Sequence, residues 1–518
     1  MREIEVYELA GRYIDGIATP EEVGRLQAAL DGDPHARRLF MELCNLDSAL
    51  DLRAAEWRES RDAMPAPSRR PPHLITAACG AACAAALLLL ALFPEGMSDD
   101  RSHYDNHDLP ITTVALVADS TEGGTPREIA PSTLATGEGE TMVRSKQGVD
   151  IRFDGPSLFG FSTAERGALY SGSVRARVEA PATSFSVVTS NLRILDLGTA
   201  FRVDRIDDVT LAVTVLEGEV EVQSRVRLPI AYWPFDHVEA TGERNGPLRT
   251  PDVVSALSGR IGAAVKTCDG LIGPGGLRFD DTPQAGVLIE GGTGGEVGLG
   301  TLSCVEGITI EALIVPRWSG RYRDYDTIYR KEDGPCRVLL SLQNDGQNYA
   351  GYAEPQVAPG PCLSFGLHLA GHGYRELDMP LDGVDGRPTL AELTDGRPHH
   401  VVATYDSFTG RKAISIDGRI RFEHGYPVGT LILSGGPAVP TIGNHGQREP
   451  FNGIIDEVAF YDFALTAEEI ASHHRHVSNG DTFFGAAAPA ADSPRWRAVT
   501  RLREGQTMTF DQQNGLPR

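Results

Sequence analysis

Carboxylates, histidines, cysteines and aromatic rings are the groups here that could do chemistry, and their spacing decides which chemistry is open. Hydrolysing a glycosidic bond needs two carboxyl groups lining one groove. The nearest run is Asp456-Glu457. Adjacent strand residues point to opposite faces, so this pair is not expected to share a groove. The sequence contains no G-x-S-x-G, H-E-x-x-H or P-loop motif. Binding rather than catalysis is the expectation. The segment PRWSGRYRDYDTIYRKEDG (Pro316–Gly334) interleaves Trp318, Tyr322 and Tyr325 with Arg and Asp. Aromatic faces stack on sugar rings and charged groups bond hydroxyls, which makes these three candidate ligand-binding residues. A long loop with its rings tucked onto the domain would use the same residue types. His473, His474 and His476 are metal-like in type but fall where a terminal helix should end, which predicts frayed, solvated side chains. His399 and His400 open a strand and read as structural. No cysteine belongs to a C-x-x-C pair, which argues against a zinc ribbon.

The elements that position these groups begin with one apolar run. Leu74 to Phe93 reads LITAACGAACAAALLLLALF, about 20 uncharged residues, enough to span a bilayer core as a helix. Pro71 and Pro72 precede it and Pro94 ends it. The residues ahead of it read as folded, so a signal peptide is a poor alternative. Arg58, Arg61, Arg69 and Arg70 stand just before the run, and Arg101 is the only Lys or Arg after it until Arg127. Positive residues stay inside, so the N-terminus is expected in the cytoplasm and the C-terminal part outside. Cys268, Cys304, Cys336 and Cys362 then lie where disulfides are permitted, with three pairings open. Of the net charge of −23, the first 73 residues carry only −4, from 10 Arg and 14 Asp and Glu. The acidic remainder does not favour nucleic acid.

The cytoplasmic part, 1–57, reads as three helices. Thr19-Pro20-Glu21-Glu22 caps the second. Leu39, Leu43, Leu46 and Leu50 form a stripe of helical period on the third, a core face or a partner surface. An Arg/Pro-rich linker, 58–73, leads to the span at 74–93. Leu9–Leu50 resembles the cytoplasmic head of bacterial transmembrane anti-sigma regulators. The His-x3-Cys-x2-Cys pattern of the metal-binding variants is absent, since Cys44 has no cysteine partner. The resemblance implies a sigma factor bound through the Leu39–Leu50 stripe and a place in the bacterial inner membrane.

Beyond the span the period changes to two. In 111–226, Phe185, Val187, Thr189, Leu197-Gly198-Thr199, Phe201-Val203, Val213-Val215 and Glu217-Gly218-Glu219-Val220 follow in order. This pattern resembles the FecR domain, found in regulators built from a head, one span and an outer β domain. Gly198 and Gly218 are expected at positive φ, with Thr199 bonding backbone at the turn. In 228–476 the motifs are Trp233-Pro234-Phe235-Asp236, Leu277-Arg278-Phe279-Asp280, Ile416-Asp417-Gly418, Ile442-Gly443-Asn444 and Phe451-Asn452-Gly453-Ile454-Ile455-Asp456-Glu457-Val458. These resemble the laminin-G-like, concanavalin-type jelly roll. That likeness implies a two-sheet sandwich and a structural calcium held by acids of the first and last strands, here Asp236 and Asp456. No cofactor is required. Residues 479–518 begin Ala/Pro-rich and read as linker and tail. The chain is thus expected to be mainly β: a small helical head, one transmembrane helix, a FecR-like domain and a jelly roll. It would bind an external glycan or protein and control a sigma factor. The rival reading is a membrane-tethered surface-binding protein without sigma control.

Overall fold

The computed structural model describes residues 115–118, 127–129 and 131–518, apart from 146–147, 179–183, 241–246, 256, 292–301, 334–335, 346–350, 436–437, 445–448, 486–488 and 490–493, together with Arg25 and Ala29. The head expected to be helical, with Leu39, Leu43, Leu46 and Leu50, and the apolar run 74–93 lie outside the described residues. Among the described residues no helix is long and apolar enough to cross a membrane. The chain divides into two units, Met1–Asp105 and Asn106–Arg518, and the second unit holds both β domains.

Alternation builds the FecR-like domain. Its central strands are β1 (Arg166–Arg177), β2 (Ala200–Arg205), β3 (Thr210–Glu217) and β4 (Glu219–Arg225). Phe201, Val203, Val213, Val215, Val220 and Val222 are buried in one core, while Arg202 and Thr214 between them stay partly exposed. Gly218 turns the corner between β3 and β4 at φ 78, where a Cβ would lie 2.7 Å from Thr199 Cγ2. Gly198 also has positive φ. Thr199 departs from expectation: its hydroxyl donates to the Asp196 carboxylate rather than to backbone.

The jelly roll follows as two sheets over one core. It contains β5 (Gly307–Pro316), β6 (Tyr325–Asp333), β7 (Cys336–Gln343), β8 (Cys362–Leu369), β9 (Gly373–Pro380), β10 (His399–Asp406) and β11 (Asn452–Tyr461). One sheet places β5 between β11 and β10, and the other runs β6-β7-β8-β9 to its edge. Trp233, Phe279, Ile310, Leu340, Phe365 and Phe460 fill the space between the sheets. Helix α1 (Ala467–Ser478) closes the outer face of the first sheet, with the expected Thr466–Glu469 capping box. Cys268, Cys304, Cys336 and Cys362 are thiols, not disulfides.

The chain then returns. β12 (Trp496–Arg503) pairs antiparallel with β4, and β13 (Thr507–Asp511) with β3. Leu502 and Phe510 enter the core of the FecR-like domain. Two segments of the stretch read as linker and tail, Trp496–Arg503 and Thr507–Asp511, are therefore strands, and the jelly roll is an insertion between β4 and β12. Composition could not reveal this, because the pairing partners lie far away in sequence.

The two domains also touch directly. Glu306, 7% exposed, accepts from Ser162 and pairs with Arg166 at 3.1 Å. Tyr170 bonds Ser407 at 2.9 Å and packs with Val188, Val305 and Leu431. Arg225 reaches Asp462 at 2.9 Å, and Arg227 pairs with Glu469 of α1. Glu306→Ala is expected to loosen this contact by roughly 1–3 kcal/mol, the cost of stranding buried partners. Hydrogen exchange over 162–170 should quicken while the strands at 338–342 keep their protection. Unchanged exchange would mean the contact does not hold the domains.

Candidate functional site

Alternation along β7, β8 and β9 sends Leu340, Leu342, Phe365, Leu367, Leu377 and Met379 into the core. Their neighbours stand on the outer face. Register aligns Ser341, Ser364 and Asp378 in one row, and Leu339, Gly366 and Glu376 in the next. Glu376 and Asp378, two apart on β9, therefore share a face. Two carboxylates on one face are the arrangement that Asp456-Glu457 was not expected to give; the signal in the sequence is the Glu-x-Asp spacing at 376–378. Glu376 accepts from Tyr374 Oη at 2.8 Å and Gln343 Nε2 at 3.1 Å. Gln343 also reaches Asp345 at 3.3 Å. Asp378 is 9% exposed and its Oδ1 has no hydrogen-bond partner. Burial first, then the charge of Glu376, push its carboxyl up to about 8. Gly366 makes room for the Tyr374 ring, since a Cβ there would lie 2.1 Å from Tyr374 Oη. The arginines of this sheet are already paired: Arg337 with Glu332 at 2.6 Å, and Arg330 with Glu332 at 2.6 Å and with Glu449.

Of the aromatic residues singled out in the sequence, Tyr325 stands opposite Gln343 on this face. Tyr322, 51% exposed, sits in the preceding loop. That loop is tied to the end of β7 by Arg323 N to Asn344 O and Asn344 Nδ2 to Gly320 O, both 2.8 Å. Trp318 is a correction: at 3% exposure it belongs to the sandwich core, and its ring cannot stack on a ligand.

A second cluster lies at the other sheet. Ile455 and Val458 both enter the core, so Asp456 and Glu457 both turn outward. A bulge opposite Glu311–Leu313, with Glu457 at φ 52, breaks the alternation. Adjacency therefore does not separate these carboxylates, contrary to the expectation from strict alternation. Asp456 accepts from Leu271 N at 2.7 Å and Ile272 N at 3.2 Å, and Glu457 accepts from Tyr232. Asp236 meets the same glycine-rich turn, accepting from Gly275 N at 3.3 Å. Carbonyls of Ile272, Gly273 and Gly275 crowd around Gly270, within 2.3–2.8 Å of where its Cβ would be. Burial is the largest cause raising Asp456 to about 7 and Glu457 to about 8. Among the described residues no group of three His, Cys, Asp or Glu side chains is poised for a metal.

The histidines are not frayed. Glu311, fully buried, accepts from His400 Nε2 at 2.7 Å, Tyr461 Oη at 2.6 Å and His473 Nδ1 at 2.9 Å. His474 stacks on His400 at 5.9 Å, and His476 Nδ1 meets Phe483 O at 2.9 Å. Helix α1 runs past all three because this network holds its inner face.

Comparison with known proteins agrees with this layout. Residues 132–221 match the model of the FecR protein family, and residues 305–471 that of the concanavalin A-like lectin/glucanases superfamily. No curated protein matches the chain. Among solved structures, domain 4 of AbnA, a GH43 extracellular arabinanase from Geobacillus stearothermophilus in complex with arabinotriose, is 19% identical over 47% of this chain and 97% of its own, with TM-score 0.30. The botulinum neurotoxin serotype G binding domain is 12% identical over 48% of this chain and 50% of its own, with TM-score 0.33. The SAP-like pentraxin of Limulus polyphemus is 16% identical over 40% and 82%, with TM-score 0.24. With both family matches falling on the domains described above, the chain joins a FecR domain to a concanavalin A-like jelly roll.

Proposed function

We propose that this chain is a single-pass signalling regulator of the bacterial inner membrane, a binding protein rather than an enzyme. The jelly roll takes an external glycan through the outer face of β7–β9. The FecR domain passes the ligand state to the span at 74–93, and the head holds or releases a sigma factor. The observation that carries this reading is the insertion of the jelly roll between two neighbouring parts of the FecR domain. An input module held at both ends and by Glu306 and Tyr170 cannot change its docking without the FecR domain responding. Both oxygens of Glu376 are already engaged, which suits positioning of a ligand better than proton transfer.

The test is a pulldown with the full chain from lysate of the native organism. Recovery of one sigma factor, lost when Leu43 and Leu46 become Asp, is the expected result. A folded chain that recovers none would favour a tethered surface-binding protein.

A structural calcium belongs to the same reading. Asp236, Asp456 and the carbonyls around Gly270 are hard oxygen donors of the type calcium takes. Adding calcium is expected to raise the jelly-roll melting temperature, by about 3 kcal/mol of stabilisation at a hundredfold excess over Kd. Chelator should reverse the shift and Asp456→Asn should abolish it. A melt insensitive to both would remove the ion from the account.

A further inference from the structure

Where the jelly roll leaves and rejoins the FecR domain, both connections close on two acids that flank the start of α1. Arg225, the last residue of β4, pairs with Asp462 at 2.9 Å, and Arg495, just before β12, reaches the other oxygen of Asp462 at 3.9 Å. The connections also hold each other: Val226 N donates to Arg495 O at 2.9 Å, and the Arg225 guanidinium lies 4.4 Å over the Trp496 ring. Arg227 pairs with Glu469 and donates to Ala464 O at 2.9 Å. The other end of α1 rests on imidazoles. His473 meets Glu311, and His474 stacks on His400 with ring planes 6° apart. The Nδ1 atoms of His400 and His474 are both buried without a hydrogen-bond partner. The acceptors around them are spent. Glu311 takes His400, Tyr461 and His473, and Asp417 takes His399 Nδ1 and His400 N, both at 3.0 Å. Asp395 takes His399 and Arg397, and Glu457 takes Tyr232. Arg419 adds a positive charge beside His474.

We infer that this junction is an acid-released clasp, in which the His400–His474 stack lets protons act on the FecR domain alongside any ligand. A proton on either ring would make a second N–H where no acceptor waits, and stranding a buried donor is costly. Charging both rings would set like charges face to face. Burial first, then His400, hold His474 below the usual histidine value, against the pull of Asp417. Neutral His474 therefore supports the helix fully above about pH 6.5, and that support is lost as pH falls toward the folded value. Helix α1 carries the loss to the junction, since its 12 residues form a rod about 18 Å long with Glu469 in the first turn. Such a clasp works whatever ligand the jelly roll takes, and with or without a sigma factor on the head.

The test is hydrogen exchange of the full chain at about pH 7.5 and about pH 5.5, either side of the ordinary histidine value. The reporters are Val226 N, held by Arg495 O, and Ile470 N, held by Thr466 O at 3.0 Å. With rates corrected for the intrinsic effect of pH, both are expected to exchange about tenfold faster in acid, a tenfold change per unit of pKa depression. The strands at 338–342 should keep their protection. His474→Gln removes the titrating ring and should hold both amides slow at both pH values. Arg227→Gln cuts α1 from the entry connection and leaves the Thr466–Glu469 capping box in place. Val226 should then lose its acid response while Ile470 keeps it, and this arm decides whether or not His474→Gln folds. A wild type in which Val226 ignores pH would overturn the inference, as would an acid response of Val226 unchanged in either variant. Each of these results leaves sigma binding to the pulldown, so the two readings stand or fall separately.

Discussion

Removal of residues 495–518 is expected to unfold the FecR domain while leaving the jelly roll folded. The truncation takes away β12 and β13, and with them Leu502 and Phe510, both in the core of a domain whose other strands come from before residue 226. Burying a leucine and a phenylalanine contributes about 2–5 and 3–5 kcal/mol when each is cut to Ala. Together these rival the whole stability of an ordinary domain, about 5–15 kcal/mol. The edges of β3 and β4 would also lose their ladder partners. Two transitions should be resolved in calorimetry of the wild type, and the one assigned to the FecR domain should vanish on truncation. Phe510→Ala alone should lower it without abolishing it. A truncated chain that keeps both transitions would show that the returning strands are ornamental, and the insertion argument for signalling would go with them.

The second large effect is expected at Glu311. It is a fully buried carboxylate with three donors, and removing one member of a buried charged network costs about 3–5 kcal/mol. Glu311→Ala should therefore loosen α1, strand His400 and His473 without an acceptor, and weaken the Arg227–Glu469 pair that α1 presents to the first interdomain connection. Hydrogen exchange in 467–478 reads this out. Protection of α1 unchanged in Glu311→Ala would refute it.

The pH dependence around this network has opposing parts. Burial opposes the charge of Glu311, but His473 and His400 outweigh it and hold the carboxyl down at about 2. A depressed acid gives stability above its unfolded pKa, lost as pH falls toward the folded value. Burial also opposes the charge of His473, yet Glu311 raises it above the usual histidine value. Its contribution is full below about 6.5 and fades as pH rises through the folded pKa. Burial first, and His400 beside it, lower His474, so protonating His474 costs stability as pH falls below about 6.5. Glu311 and His474 thus both weaken α1 in acid, whereas His473 weakens it in base. Helix protection should be greatest near neutral pH, and His474→Gln should extend it toward acid. A variant with the same acid limb as wild type would remove His474 from the account.

Local periodicity determined a good deal of this molecule. Strands with Phe201, Val203, Val213 and Val215 at alternate positions could bury only one face, and the FecR pattern followed. Asp417-Gly418, Thr466 with Glu469, and the positive φ of Gly198 and Gly218 are short-range chemistry that a sequence states directly. What the sequence did not carry were facts set by partners far away or by a break in the period. Trp318 reads as a ligand platform until the second sheet is laid over it. Asp456 and Glu457 read as opposed until the bulge turns both outward. Glu376 and Asp378 became a candidate site only when β7 and β8 lined up Gln343 and Ser364 beside them. The terminal strands read as a tail because their ladder partners, β3 and β4, stand on the far side of the inserted jelly roll. Side-chain period is a local property of a strand, whereas register, insertion and the company kept by a buried charge are properties of the assembled sheet, and only the tertiary structure decided them.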